Sequence, residues 1–391
     1  MHYLTRRIQQ PLLQVLERGK SVLLLGPRQT GKTTLLSNLG ADRFISLVDV
    51  RQRHRYEREP GALADEIEAL AHGKAKRPLI IIDEIQKVPS LLDVAQDIID
   101  RKITQCVLTG SSARKLRRGH DLNLLPGRLI SLAMDPLTLK EWSSSSLEEL
   151  LVYGSLPEVV QIEGSSAREE LLNAYVNSYL EEEVRAEALV RQLGPFVRFL
   201  ELAAGESGYP INFSKLSQAI GIAHSTISHY FQLLEDCLIV ERVEPLTDAK
   251  SRRRLMKGCK YLFFDLGVRR VAAREGVQPP LSYMGHLFEQ WVGLELIRLT
   301  RERRQITVRF WRDHNGPEVD WVLDYEGKYI PIKVKWNDLP SHHDGQHLHT
   351  FMQEYPSARE GYLVCRTPHR MRLGENLWAI PWQELAQLIP L

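Results

Sequence analysis

The chain has 391 residues, 43% of them hydrophobic and 26% charged, an ordinary soluble balance at a length that exceeds one core and implies two or three domains. The formal net charge is +2, too near neutral for the whole surface to be a nucleic-acid footprint, so any basic patch must be local. The four cysteines, Cys106, Cys237, Cys259 and Cys365, show no C-x-x-C spacing, which argues against a zinc site or disulfide framework and fits a reducing cytoplasm.

Arg6 and Arg7 precede no apolar h-region, so no signal peptide is expected. Apolar runs such as Leu79 to Ile82 fall far below the roughly 18 residues of a spanning helix. Thr5 to Arg18 has helical spacing (Ile8, Leu12, Leu13, Leu16) and stops at Gly19. Ser21 to Leu25 is an apolar run entering a Gly-rich turn, and reads as a buried parallel strand before a helix at Thr33 to Leu39. Further strands are expected at Phe44 to Val50, Leu79 to Ile82, Cys106 to Leu108 and Leu129 to Leu132, with helical patterns between them, including Leu91 to Asp100. Alternating strands and helices imply an α/β domain whose parallel sheet is covered on both faces.

Ser143 to Ser146 is a polar break. Helices follow at Leu147 to Tyr153, Ala167 to Leu193 and Pro195 to Ala204, and Phe213 to Val243 is helical and then extended. From Tyr283 a second α/β unit begins: a helix from His286 to Arg303, then strands Ile306 to Trp311, Val319 to Tyr325 and Tyr329 to Lys335. It ends with a helix at Gln346 to Glu354, a strand at Gly361 to Cys365 and a helix from Pro381. The expected division is an N-terminal α/β core (1–142), a helical lid or linker (143–204), a helical and then extended stretch (205–280) and a second α/β domain (281–391).

Gly26-Pro27-Arg28-Gln29-Thr30-Gly31-Lys32-Thr33 matches G-x-x-x-x-G-K-[ST]. Such a loop turns its N–H groups onto phosphate oxygens, and the helix behind it aims its positive end at the anion. Lys32 is assigned to the β- and γ-phosphates of ATP, Thr33 to Mg²⁺, and Thr34 completes the binding set. Leu79 to Glu84 is an apolar strand ending in two acids at the carboxyl edge of the sheet. Asp83 would hold Mg²⁺ and Glu84 would orient and deprotonate the attacking water. After the next strand, in Leu108-Thr109-Gly110-Ser111-Ser112, a small polar residue such as Ser111 can sense the γ-phosphate or position water. Arg128, before a strand, is either an arginine finger, in cis or from a neighbouring subunit, or a solvated loop arginine.

The set GPRQTGKTT, LIIIDEIQ, LTGSSARKL, PGRLISLAMDPLTLKEW and YGSLPEVV resembles the bacterial and archaeal AAA-type ATPases that carry a C-terminal DUF4143 domain, over almost the whole chain. The resemblance implies an ATPase core of the AAA+ superfamily. Since such proteins often assemble into rings, it also implies that Arg128 would complete a neighbour's site in a homo-oligomer.

Ile211 to Leu234 looks like a helix-turn-helix. Leu216, Ala219 and Ile220 form one apolar face, Gly221 the turn, Ser225 a cap, and Ile227, Tyr230, Phe231 and Leu234 the inner face of the second helix. That helix offers His224, Thr226, Ser228, His229 and Gln232 outward, without any Arg or Lys. DNA is a candidate partner, with phosphate contacts from Lys250, Arg252, Arg253, Arg254, Lys257 and Lys260; a lid or protein-contact role is the competing reading.

Glu289 on a helix, Glu318-Val319-Asp320 and Pro331-Ile332-Lys333-Val334-Lys335 look like the core of the PD-(D/E)-x-K nuclease fold, a restriction-endonuclease-like unit. By that resemblance Asp320 fits the first acid, Lys335 the lysine and Glu289 the helix acid. The position that should be acidic is Lys333. A cation there repels Mg²⁺ instead of ligating it, so little or no hydrolysis is expected.

Overall fold

The computed structural model describes residues 3–112, 128–180, 193–247, 258–313 and 316–390. The chain forms two compact units. The first is Met1–Leu137 with Leu156–Gln161 and Asp236–Ile239; the second is Thr138–Ser155, Ile162–Glu235 and Val240–Leu391.

In the first unit the order is α1 (Gln9–Glu17), β1 (Ser21–Leu25), α2 (Lys32–Ser37), β2 (Arg43–Ser46), α3 (Val50–Arg58), α4 (Ala62–Ala71), β3 (Leu79–Asp83), α5 (Leu91–Asp100), β4 (Gln105–Gly110) and β5 (Leu129–Ala133). The five strands make one parallel sheet in the order β2-β3-β4-β1-β5. Successive strand side chains point to opposite faces, and both faces are buried. Val22, Leu24, Ile81 and Val107 pack with Ile8, Leu12, Leu35 and Leu36 of α1 and α2. Leu23, Ile80, Ile82 and Leu108 pack with Tyr56, Leu63, Ile67, Leu91 and Ile98 of α3, α4 and α5. Because β4 lies between β1 and β3, their carboxyl ends bring the loop after Leu25, Asp83 and Thr109 to one edge.

The expected strand at Phe44 to Val50 stops at Ser46. Asp49 accepts a hydrogen bond from the Arg51 amide at 2.8 Å and so caps α3, which turns Val50 into a helical residue.

The second unit holds α6 (Leu147–Tyr153), α7 (Ser165–Ala174), α8 (Leu193–Gly205), α9 (Phe213–Ile220), α10 (His224–Asp236), β6 (Val240–Val243), β7 (Lys260–Phe263), α11 (Leu266–Ala272) and the 20-residue α12 (Leu281–Thr300). It continues with β8 (Ile306–Arg312), β9 (Glu318–Tyr325), β10 (Lys328–Val334), α13 (Gln346–Glu354), β11 (Gly361–Cys365), β12 (Met371–Gly374) and β13 (Leu377–Pro381). β8 to β13 form a mixed sheet in the order β12-β13-β11-β10-β9-β8, and β6 and β7 an antiparallel pair. Phe288, Trp291 and Val292 of α12 pack with Trp321, Leu323, Ile332 and Val364 of the sheet. Trp311, Val319 and Val322 instead pack with Phe351 and Tyr355 at α13. The helix expected from Pro381 is present as a 3-10 helix, Trp382–Leu388.

A turn at Gly221 joins α9 to α10. Ile227, Tyr230, Phe231 and Leu234 of α10 are buried as expected, whereas of the α9 trio only Leu216 is. Ser225 is not the cap: α10 starts one residue earlier, at His224, with the Ala223 carbonyl accepting from the amides of Thr226 and Ile227. Among the described residues no helix is long and apolar enough to cross a membrane.

Candidate nucleotide site

Gly26 follows β1 where the backbone at the end of β5 passes close by. The Met134 amide donates to Leu25 O at 2.7 Å, and a Cβ at position 26 would stand 2.3 Å from Met134 O. No side chain fits there. Gln29 (φ 60) and Gly31 (φ 91) are both left-handed, which curls the loop so that consecutive amides converge, the concavity that binds anions. Gly31 caps the first turn of α2.

Lys32 is 5% exposed, and its ammonium donates to Gly26 O at 2.8 Å and Pro27 O at 2.9 Å. Thr30 Oγ1 closes the same loop on Pro27 O at 2.9 Å. Thr33 and Thr34 lie exposed on the first turn of α2. Thr33 Oγ1 donates to Asp83 Oδ2 at 2.9 Å, and Thr109 Oγ1 donates to Asp83 Oδ1 at 2.6 Å. Asp83 is 1% exposed. Its carboxylate is therefore held at a fixed angle between the helix of the loop and the intervening strand.

Glu84 adopts φ 59 and ψ 47, a backbone state that residues with a side chain adopt uncommonly and that clusters at functional positions. Its amide donates to Thr109 Oγ1 at 3.0 Å. Its carboxylate accepts from Gln86 Nε2 and from Ser111 Oγ, the latter at 3.2 Å, and Gln86 Nε2 also reaches Ser111 Oγ at 3.0 Å. Gly26 to Thr33, Asp83, Glu84 and Ser111 thus come together at one sheet edge.

Arg128 does not join them in its own chain. It precedes β5, whose Leu129 pairs with Ser21 at the start of β1. It lies about 13 Å along the strand from the loop, four residues at ~3.3 Å each. There its Nε donates to Asp100 Oδ1 at 2.5 Å.

Sequence reasoning missed Arg6 and Gln86. Arg6 is 6% exposed; its guanidinium donates to Thr30 O inside the loop and to Asp135 O at 2.6 Å. No motif surrounds it, so only the fold reveals the contact. Gln86, two residues beyond the acidic pair, had a weak signal in its place just after the strand.

In the second unit Asp320 Oδ1 accepts from Lys333 Nζ at 2.6 Å and Asp320 Oδ2 from the Val334 amide at 2.7 Å. Lys333 Nζ also donates to Glu318 Oε1 at 3.2 Å. Glu289 is paired with Lys260 at 2.8 Å, whose ammonium sits 4.7 Å from the Trp321 ring centroid. Burial and the charge of Glu289 push the Asp320 carboxyl up to about 6, against the pull of Lys333. Burial also opposes the charge on Lys333, but Asp320 and Glu318 overcome it and raise its pKa above the usual lysine range. Lys335 is half-buried just beyond β10 and bonds through its backbone, to Val364 O at 3.0 Å.

Two expectations change here. Lys260, counted with the basic cluster for DNA, is 6% exposed and committed to Glu289. Glu318 joins the charge cluster although sequence reasoning gave it no role. Lys250, Arg252, Arg253, Arg254 and Lys257 lie outside the described residues. His224, Ser228, His229 and Gln232 are exposed on α10, and Thr226 is half-buried. Among the described residues no group of three or more His, Cys, Asp or Glu could hold a metal ion.

Comparison with known proteins places these sites in context. Residues 18–143 match a family model described as an AAA domain, residues 144–278 a domain of unknown function (DUF8612) and residues 284–385 a domain of unknown function (DUF4143). An uncharacterized protein of Mycobacterium tuberculosis is 24% identical over 376 residues, 96% of this chain and 82% of the relative. Among solved structures, the Aeropyrum pernix Orc1 protein in complex with DNA is similar at a TM-score of 0.28 and 15% identity, over 70% of this chain and 93% of that one. Cdc6p from Pyrobaculum aerophilum is similar at a TM-score of 0.28 and 15% identity, over 71% and 96%. The chain thus joins a P-loop segment that matches the AAA domain model to a C-terminal segment that matches the DUF4143 model.

Proposed function

We propose that this chain binds and hydrolyses ATP with Mg²⁺ in a cytoplasmic setting and couples the nucleotide state to a macromolecular partner. The observation that carries the reading is the hydrogen-bonded chain Thr33–Asp83–Thr109 beside a loop of converging amides. The residues fit the expected ligands. A hydroxyl and a carboxylate 2.9 Å apart are an all-oxygen pair suited to Mg²⁺, which prefers one or two protein oxygens and keeps its waters. Held by Thr33 and Asp83, the metal would offset the charge of the phosphate oxygens.

The remaining roles belong to the chain. The Arg28 to Gly31 amides and Lys32 bind the phosphates, Lys32 exchanging its two loop carbonyls for phosphate oxygens. Arg28, Gln29 and Thr34 line the loop and its helix. Glu84 takes the proton of the attacking water, and its bonds to Gln86 and Ser111 set its direction. Arg128 serves, if anywhere, a neighbouring subunit. The four-part division at residues 142, 204 and 280 is the working one, with a winged helix in the third part and a nuclease-like fold in the fourth. We assign that fourth part no hydrolysis, because an ammonium sits on Asp320 where a metal would bind. The decisive experiment is ATP turnover of the wild type, Lys32→Ala and Glu84→Gln; unchanged phosphate release in both variants overturns the reading.

A second reading, ATP-dependent DNA binding, is favoured by the exposed polar side of α10 (His224, Ser228, His229, Gln232). A third, a scaffold that binds ATP and turns it over very slowly, is separated by single-turnover kinetics.

A further inference from the structure

The winged-helix reading leaves the source of phosphate contacts open, since α10 carries no Arg or Lys and Lys260 is buried. A different element carries clustered cations. α3 reads Val50-Arg51-Gln52-Arg53-His54-Arg55-Tyr56-Glu57-Arg58. Arg51, His54, Arg55 and Arg58 are spaced i, i+3, i+4 and i+7. At 3.6 residues per turn they fall within an arc of about 100°. All four are exposed.

The opposite side of the helix is accounted for. Tyr56 is 2% exposed in the core, and its hydroxyl donates to Glu66 Oε2 at 3.0 Å. Arg53 leans on Glu57 at 3.9 Å, on the flank. Asp49 is spent on the cap, and Glu59 lies past the last turn. Glu66 bridges Arg55 and, at 3.5 Å, Arg43. Arg51, His54 and Arg58 have no acidic partner among the described residues. α3 follows β2, the edge strand of the sheet, so the cationic side is a ridge along the outer border of the domain. The ridge runs about 10 Å, seven residues at ~1.5 Å each.

We propose that this ridge docks the phosphate backbone of a nucleic-acid duplex. Guanidinium groups suit phosphate oxygens, and the repeat of one cation per turn presents them along a line. Single strands are disfavoured as the natural occupant because they need platforms of aromatic side chains for successive bases, and the one tyrosine of α3 is buried while His54 offers a single small ring. An acidic protein surface is the other candidate for a cationic ridge. Against it, the exposed large apolar side chains in and beside α3 among the described residues, Val48 and Val50, stand at one end, and an interface core needs more apolar area than two valines. This inference does not need ATP hydrolysis; it gives the DNA-binding reading a surface that α10 does not.

The test is fluorescence anisotropy of a labelled DNA duplex with the full chain, between about 50 and 200 mM salt, with nucleotide binding measured on the same samples. Arg51→Glu/Arg58→Glu should weaken duplex binding tenfold or more. Its milder form, Arg51→Gln/Arg58→Gln, should lower the salt slope by about 1.8, or 0.9 for each lost phosphate contact. Arg53→Gln should stay within twofold. Nucleotide affinity should be equal in all of them, which shows the fold intact and separates failure here from failure of the ATP reading. No duplex binding by the wild type at low salt would overturn the proposal. So would an unchanged slope in the double variants, or tighter binding of poly-glutamate or single-stranded DNA than of duplex.

Discussion

The Thr33 hydroxyl and the Asp83 carboxylate, 50 residues apart in the chain, meet at 2.9 Å across the edge of the parallel sheet. Thr109 holds the carboxylate from its other side, so the orientation of Asp83 depends on three elements at once. Thr109→Val removes that support and leaves Glu84's amide without its acceptor. We expect it to lower turnover tenfold or more, a barrier increase of about 1.4 kcal/mol, with ATP affinity changed less than threefold. Steady-state and equilibrium titrations of one preparation check the split.

Glu84→Gln should bind ATP as the wild type does and turn it over 10²–10⁴-fold more slowly, the usual range for a lost general base. Retention of labelled ATP on gel filtration after mixing with Mg²⁺ is the readout. Wild-type turnover in this variant would move the base elsewhere.

Arg6 holds the phosphate loop from outside by donating to Thr30 O and Asp135 O. Arg6→Ala removes two charge-assisted bonds, one from a buried and one from a part-buried carbonyl, and should cost about 2–3 kcal/mol of stability. Because the loop loses its brace, nucleotide affinity should fall more than tenfold. Arg6→Lys should recover part of it. Paired urea melts and nucleotide titrations test both effects.

Lys333 is the counter-ion of Asp320 and Glu318. Lys333→Ala leaves a buried carboxylate uncompensated and should destabilise the second unit by about 3–5 kcal/mol. Lys333→Met with Asp320→Leu, which removes both charges, should come within about 1–2 kcal/mol of the wild type. Equal loss in the single and double variants would show that packing, not charge, is at stake.

His286 stacks on Tyr209 at 3.9 Å, and its Nε2–H donates to Ser207 O at 2.9 Å. Burial drives its pKa down to about 4. The unfolded chain, with an ordinary histidine near 6.5, therefore binds more protons than the folded one between pH 6.5 and 4. Stability is full above the upper value and falls as pH drops through that window, by up to about 3 kcal/mol. His286→Gln should flatten this part of the profile, measured as urea midpoints at pH 7 and 4.5.

How much of this the sequence revealed depended on where the information lay. β1, β3 and β4 were legible because parallel strands buried on both faces are unbroken apolar runs. The loop and its acids were legible because their chemistry fixes both residue type and spacing. Of α3 only its first residue, Val50, was read as strand, because Val48 and Val50 are β-branched, while the Asp49 cap that decides the matter is a local bond. The hairpin of β12 and β13 was missed; its first strand, Met371–Gly374, is short, half open to solvent and irregular at Arg372. Arg6, Gln86 and the Lys260–Glu289 pair depend on partners brought close only by the fold. Arg128 shows the converse: its place before a strand suited a finger, and only the register of β5 on β1 shows that it stands at the Ser21 end of the sheet.

The most direct test of the account is calorimetric titration of the pure, folded protein with ATP and Mg²⁺, beside Lys32→Ala. The account predicts one site per chain with measurable heat in the wild type and an affinity at least tenfold weaker, or no heat, in the variant. No binding by the folded wild type, or equal binding by Lys32→Ala, would contradict it.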